Sequence, residues 1–410
     1  MKPDEPRLPG HRPGRLTGRR FLHAPGPTAL PDEVLDAMHR QPMDLGDPRV
    51  GDNIDACEQG LRWLAGSADA RLFMHASNGH GAWEAVTCNL LQPGQAALMP
   101  ATGHFSEAWA KQTEALGRRA LRTPWVEGQP IDAAAVEQAL RDDRDHAIGA
   151  VYVVHTDTAS GVTSDLDALR RAIDAADHPA PLVVDAVASL GAAPIEMDAQ
   201  RIDVLIGASQ KGLMGPPGLA FSLVQPAVMA QVRANDAPRH YFDWVTREGA
   251  LPYQKFCGTP PLLMLQGLEA GLALLQREGR EAAWARHRRL AAIVHAAVDG
   301  WRTAGTLDFF AQVPATRSVS VTTIRTADGV DPDALRRIAR EDFDVAVAGG
   351  LGPLAGRAFR IGHLGDLNVP MVLGALAGVE AALTRLGVRY GRGVEAAIAR
   401  AASDTSAGPL

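Results

Sequence analysis

The sequence is short of lysine, cysteine and long apolar runs, and each shortage excludes a class of protein. Only four of its 410 residues are lysine, although lysine and arginine together number 41. Three cysteines, Cys57, Cys88 and Cys257, lie far apart with no CxxC pair, which argues against a disulfide framework or a structural zinc site. No stretch approaches the roughly 18 to 20 uninterrupted apolar residues of a membrane span. We therefore expect a cytoplasmic protein that has no membrane partner and binds no metal.

The charge balance and the absence of a dinucleotide fingerprint narrow the function further. A formal net charge of -6 gives no reason to expect a nucleic-acid partner. The chain has no GxGxxG motif, which argues against a Rossmann dehydrogenase. Residues 1–20 are rich in proline and arginine but lack the apolar core of a signal peptide, so they are expected to form a disordered tail.

Hydrophobic periodicity predicts an α/β protein with two domains. Apolar residues recur at helical spacing in 56–66, 81–91, 106–117 and 164–177, with Ser164 as the expected N-cap of the last helix. Apolar runs predict buried strands at 94–101, 147–155, 181–191 and 202–209. Such alternation indicates a mostly parallel sheet covered by helices. The pattern changes near residue 265, so we expect a large domain over 21–265, a smaller α+β domain over 266–395 and a flexible tail over 396–410.

Two charged residues interrupt apolar segments near the ends of predicted strands. Asp185 is either a structural cap or ion-pair partner, or the partner of a cation on a ligand, because a buried carboxylate is costly when unpaired. Lys211 is either a solvated charge or an amine with a lowered pKa that attacks carbonyls. Arginine, whose guanidinium stays protonated, cannot form a Schiff base, which gives a chemical reason for a lysine here.

A third feature is the loop HASNGHGAWEA at 75–85, which precedes a predicted helix. It places Asn78, Gly79 and His80 at the helix start, where free N–H groups bind anions, although an ordinary turn explains the pattern equally well. A phosphate at this loop, a cationic ring nitrogen beside Asp185 and an aldehyde captured by Lys211 describe one ligand. Pyridoxal 5'-phosphate has all three groups, so the sequence predicts it as the cofactor.

The order of the motifs resembles the class V aminotransferases. The motifs are PGPT (25–28), SNGHGAWEA (77–85), VDAVASLG (184–191), SQKG with PPGLAF (209–221) and FRIGHLGDLN (359–368), and the resemblance covers roughly residues 20–395. Within the class, the alanine–glyoxylate and serine–glyoxylate branch is most similar, and the bacterial serine–glyoxylate enzymes in particular. The resemblance implies fold type I, with a mostly parallel seven-stranded sheet in the large domain.

The resemblance also implies a role for each matching residue. Lys211 would carry the Schiff base, and Asp185 would pair with the pyridinium nitrogen. Arg360 would bind the substrate carboxylate through two parallel hydrogen bonds. Phe105 would stack on the cofactor ring, and Thr158 would lie near its phenolic oxygen. Phosphate contacts are implied for Asn78, Gly79, His80 and Gln210, and for Thr259 from the neighbouring subunit. A homodimer with shared active sites follows from this last contact.

The implied activity is a ping-pong transfer of the amino group of serine or alanine to glyoxylate. Two departures from the family pattern stand at the phosphate site: Asn78 replaces a common serine, and Phe256 replaces a tyrosine that some relatives carry. Pyridoxamine–pyruvate transamination is the alternative within the fold, because RTADGVD and RIGHLG resemble that enzyme as well. A non-catalytic protein that has kept the fold is the alternative of another class.

Overall fold

The computed structural model describes residues 18–403. The predicted disordered tail lies outside the described residues except for residues 18–20, and residues 404–410 of the predicted C-terminal tail lie outside them too. The described strands are β1 (Phe21–His23), β2 (Arg71–His75), β3 (Ala96–Pro100), β4 (Arg119–Thr123), β5 (Ile148–Val154), β6 (Thr156–Asp157), β7 (Val162–Thr163), β8 (Leu182–Asp185), β9 (Val204–Ala208), β10 (Ala220–Val224), β11 (Leu307–Phe309), β12 (Val321–Thr326), β13 (Val345–Gly349) and β14 (Ala358–Gly362).

The described α-helices cover both sheets. They are α1 (Asp32–Met38), α2 (Pro48–Ala65), α3 (Gly79–Leu90), α4 (His104–Ala115), α5 (Ala133–Asp142), α6 (Leu166–Ala175), α7 (Met229–Ala234), α8 (Pro252–Phe256), α9 (Leu262–Glu278), α10 (Arg280–Trp301), α11 (Pro332–Asp342), α12 (Val369–Arg385) and α13 (Gly393–Ser403). Within residues 18–403, none of these helices has the length and apolarity needed to cross a membrane.

The larger sheet has seven strands in the order β2-β10-β9-β8-β5-β3-β4. Within it β10 alone runs antiparallel to its neighbours. Alternate residues of β5 enter the two cores that flank the sheet: Val151 and Val153 pack on one face, Tyr152 and Val154 on the other. The sheet is therefore buried on both faces, which is why its strands read as continuous apolar runs. The prediction of a mostly parallel seven-stranded sheet is confirmed.

Two helix starts differ from the sequence prediction, each because of a local cap. The helix predicted at 56–66 begins at Pro48, since the Asp47 side chain accepts a hydrogen bond from the Arg49 N–H and proline suits the first helical position. Ser164 was expected to cap α6, but Asp165 is the N-cap and accepts from the Ala168 N–H at 2.9 Å. The Ser164 hydroxyl accepts from the Ile131 N–H instead.

The second sheet has five strands in the order β1-β13-β14-β12-β11. Its strand β1 pairs with β13, although the sequence analysis grouped residues 21–23 with the large domain. The reason lies in packing, because the ring of Phe21 contacts the core of the second sheet. Residues 396–403, expected to belong to a flexible tail, form the end of α13. That helix is held by buried Ala397 and by the close approach of Gly393 to Trp301.

Candidate active site

A cavity of about 220 Å³ lies at the carboxyl ends of β5, β8 and β9. Parallel strands place ligands at this edge of a sheet, since the loops that follow the strands converge there. Eight of the predicted site residues line the cavity: Asn78, Gly79, His80, Phe105, Thr158, Asp185, Gln210 and Lys211. These residues come from five separate loops and element ends, and the fold alone brings them together.

Lys211 lies in a tight turn three residues after β9. The turn is closed by hydrogen bonds from the Met214 N–H to the Lys211 carbonyl at 3.0 Å and from the Gly215 N–H to the Ser209 carbonyl at 2.9 Å. Gly212 has to be glycine, because a Cβ there would lie 2.4 Å from the Leu190 carbonyl oxygen. The run of glycine and proline after Lys211 therefore fixes the lysine on a rigid turn.

The N-terminal segment 25–28 covers the lysine. The Lys211 Nζ donates a hydrogen bond to the Pro25 carbonyl, and the Thr28 hydroxyl donates to the Lys211 carbonyl at 3.2 Å. Gly26 lies directly against the lysine stem, because a Cβ at Gly26 would be 2.3 Å from Lys211 Cδ. Burial and the positive charge of Arg360 lower the pKa of Lys211 to about 8, so about a tenth of the amine is neutral at pH 7, far more than for an exposed lysine.

Asp185 is the last residue of β8 and is 5% exposed. Its Oδ1 accepts from the Val187 N–H at 2.7 Å, and its Oδ2 accepts from the indole N–H of Trp83 at 2.9 Å. Burial raises the pKa of Asp185 to about 6, and these two hydrogen bonds limit that rise because they stabilise the ionised form. The carboxyl group is therefore mostly ionised at neutral pH, and a cation in the cavity would stabilise it further.

The start of α3 forms the rim of the cavity. The Asn78 Oδ1 caps the helix by accepting from the His80 N–H at 3.1 Å, which leaves its Nδ2 as the side-chain group that can donate to an anion. Gly79 is buried, and a Cβ there would come within 3.2 Å of Val187. The prediction of an anion site at this helix start fits the geometry, with the amide of Asn78 added to the backbone groups.

Aromatic rings enclose the cavity on one side. The His80 and Trp83 rings lie 4.4 Å apart, and Phe105 approaches both at 6.4 Å. The Phe105 backbone is fixed by Asp157, a fully buried carboxylate that accepts from the Phe105 N–H at 2.9 Å and from the Ala159 N–H at 2.9 Å. Phe105 is thereby held at the cavity by a residue on the β6–β7 hairpin.

Arg360 reaches the site from the second sheet. It is 7% exposed, and its Nε donates to the Gly349 carbonyl at 2.6 Å while its Nη1 donates to the Thr158 carbonyl at 2.9 Å. The guanidinium thus joins the second sheet to the β6–β7 hairpin, whose turn carries Thr158. Its charge is close enough to affect the pKa of Lys211, so a carboxylate bound by Arg360 would lie beside that amine.

Two predicted site residues do not line this cavity: Arg360, which contacts the lining residue Thr158, and Thr259. Thr259 is exposed on the connection between α8 and α9. Neighbouring Phe256 is buried in the core of the large sheet. A contact of Thr259 with the cofactor of a second subunit stays a prediction.

Sequence reasoning missed three contacts at the site. A tryptophan in an apolar helix predicts a core or interface position for Trp83, whereas its indole donates a hydrogen bond to Asp185. Asp157 and the Pro25 carbonyl were assigned no part. Trp83 lies one helical turn after Gly79, and residues at i and i+4 share a helix face. This spacing could have indicated that Trp83 faces the same site as Gly79. The other two contacts depend on loop packing and had no sequence signal.

A second cavity of about 650 Å³ lies between β11, β12 and the loop before β14. It is larger, but its arginines belong to a solvated ion-pair network: Arg302 contacts Asp308 at 3.7 Å and Arg325 contacts Asp308 at 3.6 Å. No predicted site residue lines it. Its size alone does not make it the candidate site.

Comparison with known proteins gives consistent matches over nearly the whole chain. The family model for class V aminotransferases matches residues 20–353. The L-aspartate–glyoxylate aminotransferase of Paracoccus denitrificans is 38% identical over 388 residues, which cover 93% of this chain and 96% of that protein. The serine–glyoxylate aminotransferase of Methylorubrum extorquens is 39% identical over 390 residues, with the same two coverages of 93% and 96%.

Two solved structures share the fold. The ureidoglycine–glyoxylate aminotransferase of Bacillus subtilis superposes with a TM-score of 0.84 at 27% identity, covering 94% of this chain and 99% of that one. The pyridoxamine–pyruvate aminotransferase of Mesorhizobium loti superposes with a TM-score of 0.82 at 27% identity, covering 95% of this chain and 98% of that one.

Proposed function

Because the chain belongs to the class V aminotransferases, which use pyridoxal phosphate, we propose that it transfers the amino group of a small amino acid to glyoxylate. The predictions of fold type I, of an aminotransferase and of its cofactor are confirmed by these relatives. The proposed donors are serine or alanine, as the motifs suggest, and aspartate, after the name of the Paracoccus denitrificans relative. The proposed kinetic scheme is ping-pong, with Lys211 as the Schiff-base lysine.

The residues around the cavity fit the cofactor. The Gln210 side chain lies in the cavity wall, and its buried Oε1 has no hydrogen-bond partner among the described residues, as expected of an amide that binds a ligand or water. Its Nε2 is the group that can donate to a phosphate. The cavity offers an amine at Lys211 for the aldehyde and an ionised carboxylate at Asp185 for the ring nitrogen. Asn78, Gly79 and Gln210 would hold the phosphate, and Phe105 would lie against the ring.

Lys211 has the chemistry that proton transfer needs. When bound, pyridoxal phosphate withdraws electrons from the α-carbon of the substrate and so makes its C–H bond acidic. The neutral amine of Lys211 would accept the α-proton, and its lowered pKa, about 8, suits a base that works near neutral pH. General acid–base transfer of this kind contributes roughly 10²- to 10⁴-fold to the rate. The rigid turn around Lys211 limits the positions that the amine can take.

Arg360 would hold the carboxylate of the substrate. Two of its nitrogen atoms are fixed on the carbonyls of Gly349 and Thr158, so the plane of the guanidinium is set before a substrate arrives. The Nη2 group forms no hydrogen bond with the described residues, and Nη1 carries a second N–H. A planar donor pair of this kind binds carboxylates in a bidentate manner.

The observation that carries the proposal is the convergence of Lys211 and Asp185 on one cavity beside an anion-binding helix start. A second candidate, pyridoxamine–pyruvate transamination, is supported by the structural match to the Mesorhizobium loti enzyme. The groups at Asn78, Gly79 and Gln210 favour a phosphorylated cofactor over free pyridoxamine. We further propose a homodimer in which Thr259 contacts the phosphate in the other subunit.

A half-reaction screen tests the function. The absorbance of the bound cofactor is followed with serine, alanine, aspartate, glycine and free pyridoxamine in turn, and the change is then reversed with glyoxylate or pyruvate. Conversion by a small amino acid and reversal by glyoxylate are expected. Conversion by free pyridoxamine with reversal by pyruvate alone would support the second candidate. A purified protein that takes up no pyridoxal phosphate would refute the first candidate, and one that also leaves free pyridoxamine unchanged in the presence of pyruvate would refute both.

Two lysine variants sharpen the screen. Lys211→Ala is expected to abolish covalent attachment of the cofactor and the half-reaction. Lys111→Ala serves as the matched control, because Lys111 lies on the surface with its side chain 70% exposed, paired with Glu107. Full turnover by the Lys211 variant would overturn the assignment of this lysine.

A further inference from the structure

We propose that Trp83 is a positioning residue for the cofactor: its indole N–H holds the Asp185 carboxylate in the orientation in which Asp185 meets the ring nitrogen. The inference rests on the proposed function, since it assumes that pyridoxal phosphate occupies the cavity. It adds Trp83 to the residues that hold the cofactor.

The contact is direct and buried. Trp83 is 2% exposed, and its Nε1 donates to Asp185 Oδ2 at 2.9 Å. The other carboxylate oxygen accepts from the Val187 N–H at 2.7 Å, two residues along the chain. The Val187 bond is local to the turn, whereas the Trp83 bond comes from another element. Together the two donors fix the plane of the carboxyl group, and each oxygen keeps a lone pair for a ligand.

The indole itself has little freedom to move. It stacks on Trp109 with centroids 5.4 Å apart and ring planes 9° apart, and Trp109 stacks in turn on Tyr152 at 4.5 Å and 12°. Trp83 also lies one helical turn after Gly79, at the start of the same helix. The helix α3 therefore links the anion-binding rim to the carboxylate, so a phosphate and a ring nitrogen would be held by one rigid element.

The hydrogen bond also controls the charge of the carboxylate. The pKa of Asp185 is raised to about 6 because burial and, to a smaller extent, the negative charge of Asp157 outweigh the two hydrogen bonds and the charge of Lys211, which lower it. A hydrogen bond to an ionised group changes an equilibrium constant by roughly tenfold to a hundredfold, which corresponds to a shift of about one to two pH units. Without the indole N–H, a pKa raised by that amount from about 6 would leave at least about half of Asp185 protonated at pH 7, and the protonated form could not pair with a protonated ring nitrogen.

The chain supplies a matched control in Trp109. Its indole is as buried as that of Trp83 and belongs to the same stack, but its Nε1 has no hydrogen-bond partner among the described residues. Trp83→Phe and Trp109→Phe therefore remove the same atoms from the same aromatic stack. Only the first removes a hydrogen bond to Asp185, so the difference between the two variants reports on that bond.

The experiment measures the affinity of each variant for pyridoxal phosphate between pH 7 and 9, and the absorbance of the bound cofactor over the same range. We expect Trp83→Phe to bind about tenfold or more weakly than the unchanged protein at pH 7, with a deficit that shrinks toward pH 9 as Asp185 ionises. Trp109→Phe is expected to differ from the unchanged protein by no more than about twofold. Equal affinities of the two variants at every pH would overturn the proposal.

A second measurement covers the case in which Trp83→Phe does not fold. In holoenzyme labelled with ¹⁵N at tryptophan, the indole resonance of Trp83 is expected to move when Asp185 is replaced in Asp185→Asn, while that of Trp109 stays. An unmoved Trp83 resonance would overturn the proposal. If the unchanged protein does not bind pyridoxal phosphate, the proposed function fails; if it binds and the two phenylalanine variants behave alike, only the role of Trp83 fails.

Discussion

Gly26 offers the sharpest test of how the N-terminal segment positions the amine of Lys211, the proposed catalytic base. Its φ is +98°, a region that alanine enters at a cost of about 1–2 kcal/mol. A Cβ at Gly26 would lie 2.3 Å from Lys211 Cδ and 2.6 Å from Nζ, whereas ordinary contacts begin at 3.4 Å. The lysine stem is flexible and would move aside by roughly 1 Å in Gly26→Ala. A misplacement of 1 Å at a reacting group costs about 10² in rate.

The assay compares Gly26→Ala with Gly94→Ala in the rate of the half-reaction and in free energy of unfolding. Gly94 has a similar φ of +86°, but a Cβ there meets nothing within 4 Å. Both variants are expected to lose about 1–2 kcal/mol of stability from backbone strain. Only Gly26→Ala is expected to lose about 10² in the half-reaction rate. Equal rates in the two variants would refute the view that segment 25–28 positions Lys211.

The rate at which cofactor-free protein captures pyridoxal phosphate is expected to rise with pH and to level off above about pH 8. The reason is that the pKa of Lys211 is lowered to about 8 and the neutral amine attacks the aldehyde. A capture rate that does not change with pH in a stopped-flow measurement would contradict this prediction. Acid is expected to destabilise the fold, because burial lowers the pKa of His75 and of His287 to about 3. Below about pH 6.5 the unfolded chain therefore binds protons at these histidines that the folded protein does not bind. These two histidines together lower the free energy of unfolding by up to roughly 3 kcal/mol per pH unit between pH 6 and 4. Asp185 opposes the loss by up to about 1.4 kcal/mol per pH unit, because its raised pKa makes the folded protein bind a proton that the unfolded chain does not. Equal urea midpoints at pH 7 and pH 5 would contradict this prediction. Arg360→Lys is expected to raise KM for the amino donor about tenfold or more with a smaller effect on kcat, because the bidentate fork is lost; an unchanged KM would argue that the substrate carboxylate binds elsewhere.

Much of the site was predictable because its residues stand at positions that local patterns identify. Lys211 and Asp185 follow strands that read as buried, so their place at the carboxyl edge of a parallel sheet could be expected. The glycine-rich start of α3 was predictable from the same kind of local signal. Ser164 shows the limit of such signals, because serine and aspartate both suit the N-cap position and the structure places Asp165 there.

The contacts that adjust the chemistry could not be derived from local patterns. The Trp83 indole meets a carboxylate 102 positions away, and the Pro25 carbonyl meets the Lys211 amine 186 positions away. Arg360 is fixed by a carbonyl 202 positions away. Sequence spacing carries no information about such pairs, because the relative placement of whole helices and strands decides which side chains touch.

The sequence by itself determined the alternation of strands and helices, since apolar periodicity is a local property that follows the geometry of each element. It also determined which residue could form a Schiff base, because lysine is the side chain there with an amine that can lose its proton. Only the tertiary structure decided that β1 joins the second sheet, that a tryptophan orients Asp185 and that Gly26 presses on Lys211. The physical reason is that packing brings together residues that are far apart in the chain. Differences of a few ångströms in their distances change the protonation state of each group and the atoms it can contact.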